Sequence, residues 1–207
     1  MADVVWIVRH GERRDSVDPD WETHADRVHD PPLTELGRWA AWRVGRRFAT
    51  ADRTLDAVYA SPFLRTVETA VEICRETDHE VLLEPGLGEH RNPDWFESDP
   101  ETVPIDALAD RFDPVRPARD SGVVPAFPET HAEAMDRIGE AARRLVAARD
   151  GALLFVGHGV TVGGVVRGLT GSAASVEAPL CGLTRLDRLG DAWELSFSGE
   201  TSHLDSD

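Results

Sequence analysis

The sequence predicts an α/β fold, built as a three-layer α/β/α sandwich with a mostly parallel central sheet. Apolar runs typical of buried strands alternate along the chain with segments of helical periodicity. Two of the predicted strands end in a histidine beside glycine, at His10 and His158, and the carboxyl ends of parallel strands form the ligand crevice of such folds. At 207 residues with 41% hydrophobic content, the chain fits a single domain, residues 1–207.

The first half of the chain starts with a β-branched and aromatic run, residues 4–8, which predicts a buried strand. Thr34 is a suitable N-cap for a helix that continues to about residue 50. Its apolar residues recur at spacings near i+4: Leu36, Ala40, Val44 and Phe48. A short second strand is predicted over residues 55–59.

The next helix is predicted to begin at Ser61 and Pro62, where a capping side chain precedes a proline at the first helical position. Its apolar stripe consists of Leu64, Val67, Val71 and Cys74. Arg65 lies in the first turn, off this stripe. A third strand is expected over residues 81–83.

Residues 91–128 are crowded with prolines and lack sustained periodicity. Because recognisable elements resume after them, we expect a lid or insertion that shapes the pocket, rather than a linker. The candidate contacts in this segment are Trp95, Phe96, Arg111, Arg116 and Arg119. For each of these residues taken singly, exposure between prolines is the favoured alternative.

The second half of the chain is more regular. An amphipathic pattern over residues 130–148 predicts a helix. A buried strand over 152–156 follows and leads through His158 into a glycine-rich helix to about residue 168. The last elements form a predicted hairpin, with strands over 182–187 and 192–197.

The composition is strongly acidic, with a formal net charge of -16, and all 22 basic residues are arginine. A carboxylate excess without lysine favours a halophilic source, with genomic composition bias as the alternative. A surface of this charge repels nucleic-acid phosphates and anionic lipid. Neither nucleic acid nor a membrane is therefore an expected partner.

The N-terminal residues are acidic where a signal peptide would be positive, and the longest apolar stretch, residues 152–166, is too short to span a bilayer. A cytoplasmic location is therefore expected. In that setting, Cys74 and Cys181 are expected to be small buried apolar residues rather than a disulfide.

His10, His158 and Arg65 each follow a predicted strand, so their side chains are expected to meet at one edge of the sheet. Helix N-termini at the same edge favour an anion, and arginines beside histidines are typical of a phosphate site. Taken singly, each histidine could be structural and Arg65 a surface charge. A metal site at the two histidines is the other alternative, but Arg9 and Arg13 would repel a cation.

Four motifs resemble the signatures of the histidine phosphatase superfamily, which includes the cofactor-dependent phosphoglycerate mutases. They are Val8-Arg9-His10-Gly11-Glu12-Arg13, Ala60-Ser61-Pro62-Phe63-Leu64-Arg65-Thr66-Val67-Glu68-Thr69-Ala70, Glu84-Pro85-Gly86-Leu87-Gly88-Glu89 and Val156-Gly157-His158-Gly159. Their order and spacing agree over nearly the whole chain. Together with Asp30-Pro31-Pro32-Leu33-Thr34, they look most like the phosphatase domain of the suppressors of T-cell receptor signalling.

The resemblance implies a phosphatase that hydrolyses phosphate monoesters through a phosphohistidine on His10. It further implies that Glu89 is the proton donor and that the phosphoryl group is bound by Arg9, Arg13, Arg65 and His158. The guanidinium groups would neutralise the phosphate oxygens and keep His10 neutral. No metal or cofactor is expected. The expected substrate is a small phosphoester or a phosphoprotein, and a homodimer is left open.

Two departures from the family pattern bear on the reaction. Glu12-Arg13-Arg14-Asp15 replaces the continuation found in the mutases, which favours a phosphatase. Gly159 stands where the acid phosphatase branch has aspartate, so Glu89 is the only acid that a motif supports. A phosphomutase and a catalytically weak phosphate-binding protein are the alternatives.

Overall fold

The centre of the fold is a seven-stranded sheet. The computed structural model describes residues 1–52, 54–118, 120–172 and 174–205. The strands are β1 (Ala2–Arg9), β2 (Ala57–Ala60), β3 (Val81–Leu83), β4 (Val115–Pro117), β5 (Gly151–Gly157), β6 (Leu183–Leu189) and β7 (Ala192–Glu200). Their order is β4-β3-β2-β5-β1-β6-β7, and only the β1–β6 and β6–β7 pairs are antiparallel.

Helices cover both faces of this sheet. The α-helices of the described residues are α1 (Trp21–His24), α2 (Glu35–Ala49), α3 (Leu64–Thr77), α4 (Ile105–Arg111), α5 (His131–Ala148) and α6 (Gly159–Thr170). One apolar cluster joins the sheet to α2, α3 and α4, and a second joins its other face to α5 and α6. The predicted α/β sandwich with a mostly parallel sheet is therefore confirmed.

The alternation of side chains along β1 explains its continuous apolar sequence. Trp6 and Val8 pack on the side of α2 and α3, whereas Val5 and Ile7 pack on the side of α5 and α6. A strand that is covered on both faces needs apolar residues at every position.

The start of α3 differs from the prediction. The helix begins at Leu64 with Phe63 at the N-cap position, and the side chain of Ser61 does not cap it. Instead, Asp30 accepts a hydrogen bond from Leu64 N at 2.6 Å through Oδ1 and one from Val103 N at 3.0 Å through Oδ2. A carboxylate from a distant loop thus supplies the cap that the local sequence suggested at Ser61.

The helix predicted after Thr34 is present, and Thr34 Oγ1 accepts a hydrogen bond from Gly37 N at 2.9 Å. The predicted stripe is confirmed at Val44 and Phe48, which are buried, but not at Leu36, which is 58% exposed. The predicted second strand is shifted to Ala57–Ala60. Cys74 and Cys181 are both buried and unpaired.

Residues 91–128 contribute to the sheet as well as to the pocket, since β4 lies in this segment and pairs with β3. Arg111 lies 3.4 Å from Glu68, and Arg116 lies 3.0 Å from Glu80, so neither extends into the pocket described below. Arg119 falls outside the described residues. Among the described helices, none is long and apolar enough to cross a bilayer.

Gly11 and Gly37 allow the end of β1 to pass close to the first turn of α2. A Cβ on Gly11 would lie 2.6 Å from Gly37 O, and one on Gly37 would lie 2.4 Å from Glu12 O. Both distances are shorter than any normal contact. Glycine is therefore required at residue 11 by the packing of this helix against the end of β1.

We predict that Gly37→Ala destabilises the fold although alanine has the higher helix propensity. The clash with Glu12 should lower the free energy of unfolding by about 1–3 kcal/mol. Chemical denaturation at neutral pH measures this change. Gly159→Ala is the matched control, because a Cβ on Gly159 has no atom within 4 Å. A Gly37→Ala protein at least as stable as the wild type would contradict the packing argument.

Candidate active site

Four neighbouring parallel strands, β3, β2, β5 and β1, end at the same edge of the sheet. His10 N donates a hydrogen bond to Gly157 O at 2.9 Å, directly beside His158. Ser61 N donates to Val156 O at 3.0 Å, and Glu84 N donates to Ala60 O at 2.8 Å. The segments that carry the two histidines, Arg65 and Glu89 therefore start side by side.

His10 is buried, with 2% of its surface exposed. Its Nδ1 lies 2.8 Å from the carbonyl oxygen of Gly11, which can only accept a hydrogen bond, so Nδ1 carries the proton. The lone pair is consequently on Nε2. Burial, reinforced by the charges of Arg65 and Arg9, holds the pKa of His10 well below its ordinary value. The imidazole is therefore neutral at physiological pH.

His158 is fully buried, and its ring centroid lies 5.6 Å from that of His10. Ser61 Oγ lies 2.9 Å from Nε2, and Glu89 Oε2 lies 3.2 Å from Nδ1. Burial lowers the pKa of His158 to about 4, against the opposing effect of Glu89. A neutral ring fits these contacts if Nδ1–H donates to Glu89 and Nε2 accepts from the Ser61 hydroxyl.

Arg65 is 2% exposed and makes only long contacts. Its Nη2 lies 3.4 Å from Glu89 Oε2 and 3.3 Å from His158 Nδ1, and its Nη1 lies 3.4 Å from the carbonyl oxygen of His29. Nε has no acceptor among the described residues. Burial lowers the pKa of Arg65 to about 10, so the group stays charged at neutral pH.

Among the residues that the structure describes, Arg9 also has a buried Nε without an acceptor. Its Nη1 donates to Ala178 O at 2.9 Å, while Nε is buried with no acceptor in the described part of the chain. Arg13 is more exposed and pairs with Asp15 at 3.0 Å. Buried donors are satisfied in most proteins, so unsatisfied guanidinium N–H groups beside a neutral imidazole suit an anion.

Glu89 is ionised in this arrangement. Burial opposes its ionisation, but the hydrogen bond from His158 and the charge of Arg65 outweigh burial and hold the pKa of Glu89 below its ordinary range. The carboxylate lies within 3.4 Å of both groups. A proton donor at this position must first gain a proton, and an anion bound beside it would favour that step.

A cavity of about 490 Å³ opens from these residues. Its lining includes Trp95 and Phe96, which were predicted as candidate contacts, and Trp21, Val28 and His29, which were not. The arginines Arg9, Arg13 and Arg65 share the wall with four carboxylates, Asp15, Asp18, Glu22 and Glu89. The cavity is therefore not uniformly positive, which differs from a simple phosphate pocket.

The predicted site residues are all brought together: Arg9, Arg13, Arg65 and Glu89 line the cavity, and His10 and His158 adjoin them. The sequence did not indicate the contact of Ser61 with His158. It also did not indicate Arg91, which is 7% exposed, lies 5.0 Å from the Phe63 ring and has a buried Nη1 with no acceptor in the described ranges.

The sequence of this chain is similar to those of known phosphatases. The family model of the histidine phosphatase superfamily, branch 1, matches residues 5–201. An ecdysteroid-phosphate phosphatase of Drosophila melanogaster is 26% identical, with 92% of this chain and 31% of the relative covered. Human ubiquitin-associated and SH3 domain-containing protein A is 27% identical, with 81% of this chain and 31% of the relative covered. The chain thus spans under a third of the length of these relatives.

A solved structure shows the same fold. The ecdysone phosphate phosphatase of Bombyx mori, crystallised in complex with tungstate, superposes with a TM-score of 0.77 at 24% identity. The match covers 99% of this chain and 96% of that one.

We predict that stability falls as the pH is lowered from about 6.5 toward 4, partly because of His158. The unfolded chain binds a proton on this histidine below pH 6.5, whereas the folded chain does not until about pH 4. His158→Gln should remove a loss on the order of 3 kcal/mol over this interval. Denaturation at several pH values measures it. The exposed His131→Gln is the control, and equal pH dependence in wild type and His158→Gln would refute the buried neutral ring.

Proposed function

The chain belongs to the histidine phosphatase superfamily, and we propose from its site geometry that it hydrolyses phosphate monoesters through a phosphohistidine on His10. The observation that carries the proposal is a neutral, buried imidazole beside the guanidinium groups of Arg9 and Arg65, whose buried Nε–H donors have no acceptor in the described chain. A phosphoryl group would supply those acceptors. It would also supply the electrophile for His10 Nε2.

The first role in this reaction is charge neutralisation. Arg9, Arg13 and Arg65 would bind the phosphoryl oxygens, and His158 would be a further donor when its Nδ1–H exchanges Glu89 for a phosphoryl oxygen. Repulsion between these oxygens and an approaching lone pair would otherwise oppose attack. Because Arg65 and His158 are fixed by burial before substrate binds, little reorganisation of these two donors is needed in the transition state.

The second role is nucleophilic. His10 Nε2 forms a bond to phosphorus while the bond from phosphorus to the ester oxygen breaks. The hydrogen bond from Nδ1–H to Gly11 O orients the ring and disperses the positive charge that develops on it. The product is a phosphohistidine and a departing alkoxide.

The third role is proton transfer by Glu89. A bound phosphate dianion places negative charge beside Glu89, which raises its pKa and lets it take up a proton. The protonated carboxyl then donates to the departing alkoxide. Once ionised, Glu89 accepts a proton from the water that attacks phosphohistidine, and inorganic phosphate and free His10 result.

The cavity supports a substrate with a sizeable apolar alcohol. Its volume of about 490 Å³ lies in the range of small-molecule sites, and Trp21, Trp95 and Phe96 offer aromatic surface. The relatives named ecdysteroid-phosphate phosphatase support the same class. We propose a small phosphoester of this kind, with a phosphoprotein as the alternative. A phosphomutase would return phosphate to its substrate, so release of inorganic phosphate distinguishes the two activities.

We predict that His10→Ala abolishes turnover and covalent labelling together. Loss of the nucleophile should reduce kcat by about a thousandfold or more. Phosphate release from 4-nitrophenyl phosphate measures turnover, and rapid quench with radiolabelled substrate measures the phosphoenzyme. His131→Ala serves as the control, because His131 lies outside the site. An acid-labile phosphoenzyme in His10→Ala would overturn the assignment of His10.

We further propose a halophilic setting, which the net charge of -16 without lysine supports. If so, salt should screen the acidic exterior and ease the approach of a phosphate dianion. We predict that kcat/KM rises about two- to tenfold from low to high potassium chloride. Thermal denaturation at each salt concentration separates this effect from stabilisation. A steady fall of kcat/KM with salt in folded protein would contradict it.

A further inference from the structure

A buried arginine outside the proposed site holds the loop that carries Glu89. Arg137 lies on α5, and only 9% of its surface is exposed. Its guanidinium donates to the carbonyl oxygens of Gly86 (2.9 Å), Gly88 (3.2 Å) and Glu89 (3.2 Å). Three of the four residues from Gly86 to Glu89 are therefore fixed by one side chain.

Glu129 completes this arrangement from the other side. Its carboxylate accepts from Arg137 Nε at 2.9 Å and Nη2 at 2.6 Å. The same carboxylate accepts from Arg91 N at 3.0 Å, and the carbonyl oxygen of Glu129 lies 2.9 Å from Nε2 of His90. Glu89 is thus flanked on both sides by residues bound to the Arg137–Glu129 pair.

We propose that Arg137, with Glu129 as its counter-ion, is a positioning residue that sets the carboxylate of Glu89 between His158 and Arg65. The inference rests on the proposed function, because it assigns to Arg137 the placement of the proton donor. Arg137 touches no reacting atom. Its effect on the reaction passes through the backbone of residues 86–89.

The contacts of Glu89 explain why its loop must be held by the Arg137–Glu129 pair, which is called the clamp below. Glu89 Oε2 lies 3.2 Å from His158 Nδ1 and 3.4 Å from Arg65 Nη2, so small movements of its backbone would exchange one partner for the other. A Cβ on Gly86 would lie 2.6 Å from the Cβ of Ala141, which shows how closely the loop approaches α5. This approach brings the loop carbonyls within reach of Arg137.

The charge of Glu129 matters as well. A lone guanidinium this close to Glu89 would stabilise its ionised form and oppose proton uptake. Glu129 neutralises Arg137, so the clamp supplies hydrogen bonds without adding net charge. The other charged groups near Glu89 are Arg65, Arg91 and, when protonated, His158.

The test uses two aryl esters of similar shape, phenyl phosphate and 4-nitrophenyl phosphate. Phenolate needs protonation to leave, whereas 4-nitrophenolate needs it much less, so misplacement of the proton donor should slow the first ester selectively. We expect Arg137→Gln to lower kcat/KM for phenyl phosphate by on the order of tenfold to a hundredfold, and for 4-nitrophenyl phosphate by less than about threefold. Arg137→Lys should be intermediate.

Two comparisons separate this inference from the proposed function. Glu89→Gln should show the same selectivity in a stronger form, and if it does not, the proposed role of Glu89 fails. Arg143→Gln is the matched control: Arg143 lies on the same helix and donates to Gly168 O at 3.0 Å, away from Glu89. Its two rate constants should equal those of the wild type.

If Glu89→Gln is selective but Arg137→Gln lowers both rates equally, Arg137 is merely structural and the inference fails alone. Should Arg137→Gln not fold, Glu129→Gln decides, since glutamine keeps an acceptor for Arg137 and removes the compensating charge. If Glu129→Gln lowers kcat/KM for phenyl phosphate more than for 4-nitrophenyl phosphate, the result supports the clamp. If kcat/KM changes by the same factor for both esters, the result rejects it. Tungstate binding to Arg137→Lys, which keeps the charge, should equal that of the wild type in calorimetry if the phosphoryl-binding arginines are intact.

Discussion

The parallel register between β1 and β5 is the constraint on which the site depends. Arg9 pairs with Gly157 in this register, so the residues that follow, His10 and His158, leave the sheet side by side. A shift of one residue would turn every side chain of β1 to the opposite face and expose Val5 and Ile7 to the wrong core. Because both faces of β1 are packed, the register that separates the two apolar cores also sets the distance between the two imidazoles.

Burial then fixes the chemistry of each group. Both histidines have pKa values lowered by burial, so they stay neutral, while Arg65 keeps its charge although burial lowers its pKa as well. Glu89 is ionised because the hydrogen bond from His158 and the charge of Arg65 outweigh the effect of burial. An anion that enters this set changes the balance mainly at Glu89, because the ionisation of Glu89 depends on neighbours that overcome the effect of burial. The group that must exchange a proton is therefore the one that responds to substrate.

The sequence predicted this assembly where local pattern and strand order sufficed. Strand ends, glycines and the family motifs placed His10, His158, Arg65 and Glu89 at one edge of the sheet without any knowledge of distances. It was wrong at Ser61, because the α3 cap comes from Asp30, which lies 34 positions before Leu64 and is connected to the helix by no local pattern. It also gave no sign of α4 and β4, because both are short and lie in the proline-crowded segment 91–128, where no periodic pattern is sustained.

The absence of lysine from the sequence has a structural counterpart in the interior. Arg137 reaches three carbonyl oxygens and both oxygens of Glu129, which requires several donors in a fixed planar fork. Arg65 and Arg91 both lie over the ring of Phe63, at 4.4 and 5.0 Å, a stacking that suits a weakly hydrated planar cation. An ammonium group has three donors and a strong hydration shell, so it could not satisfy either environment. The buried surroundings of residues 65, 91 and 137 therefore require arginine, independently of the cause of the missing lysine at the surface.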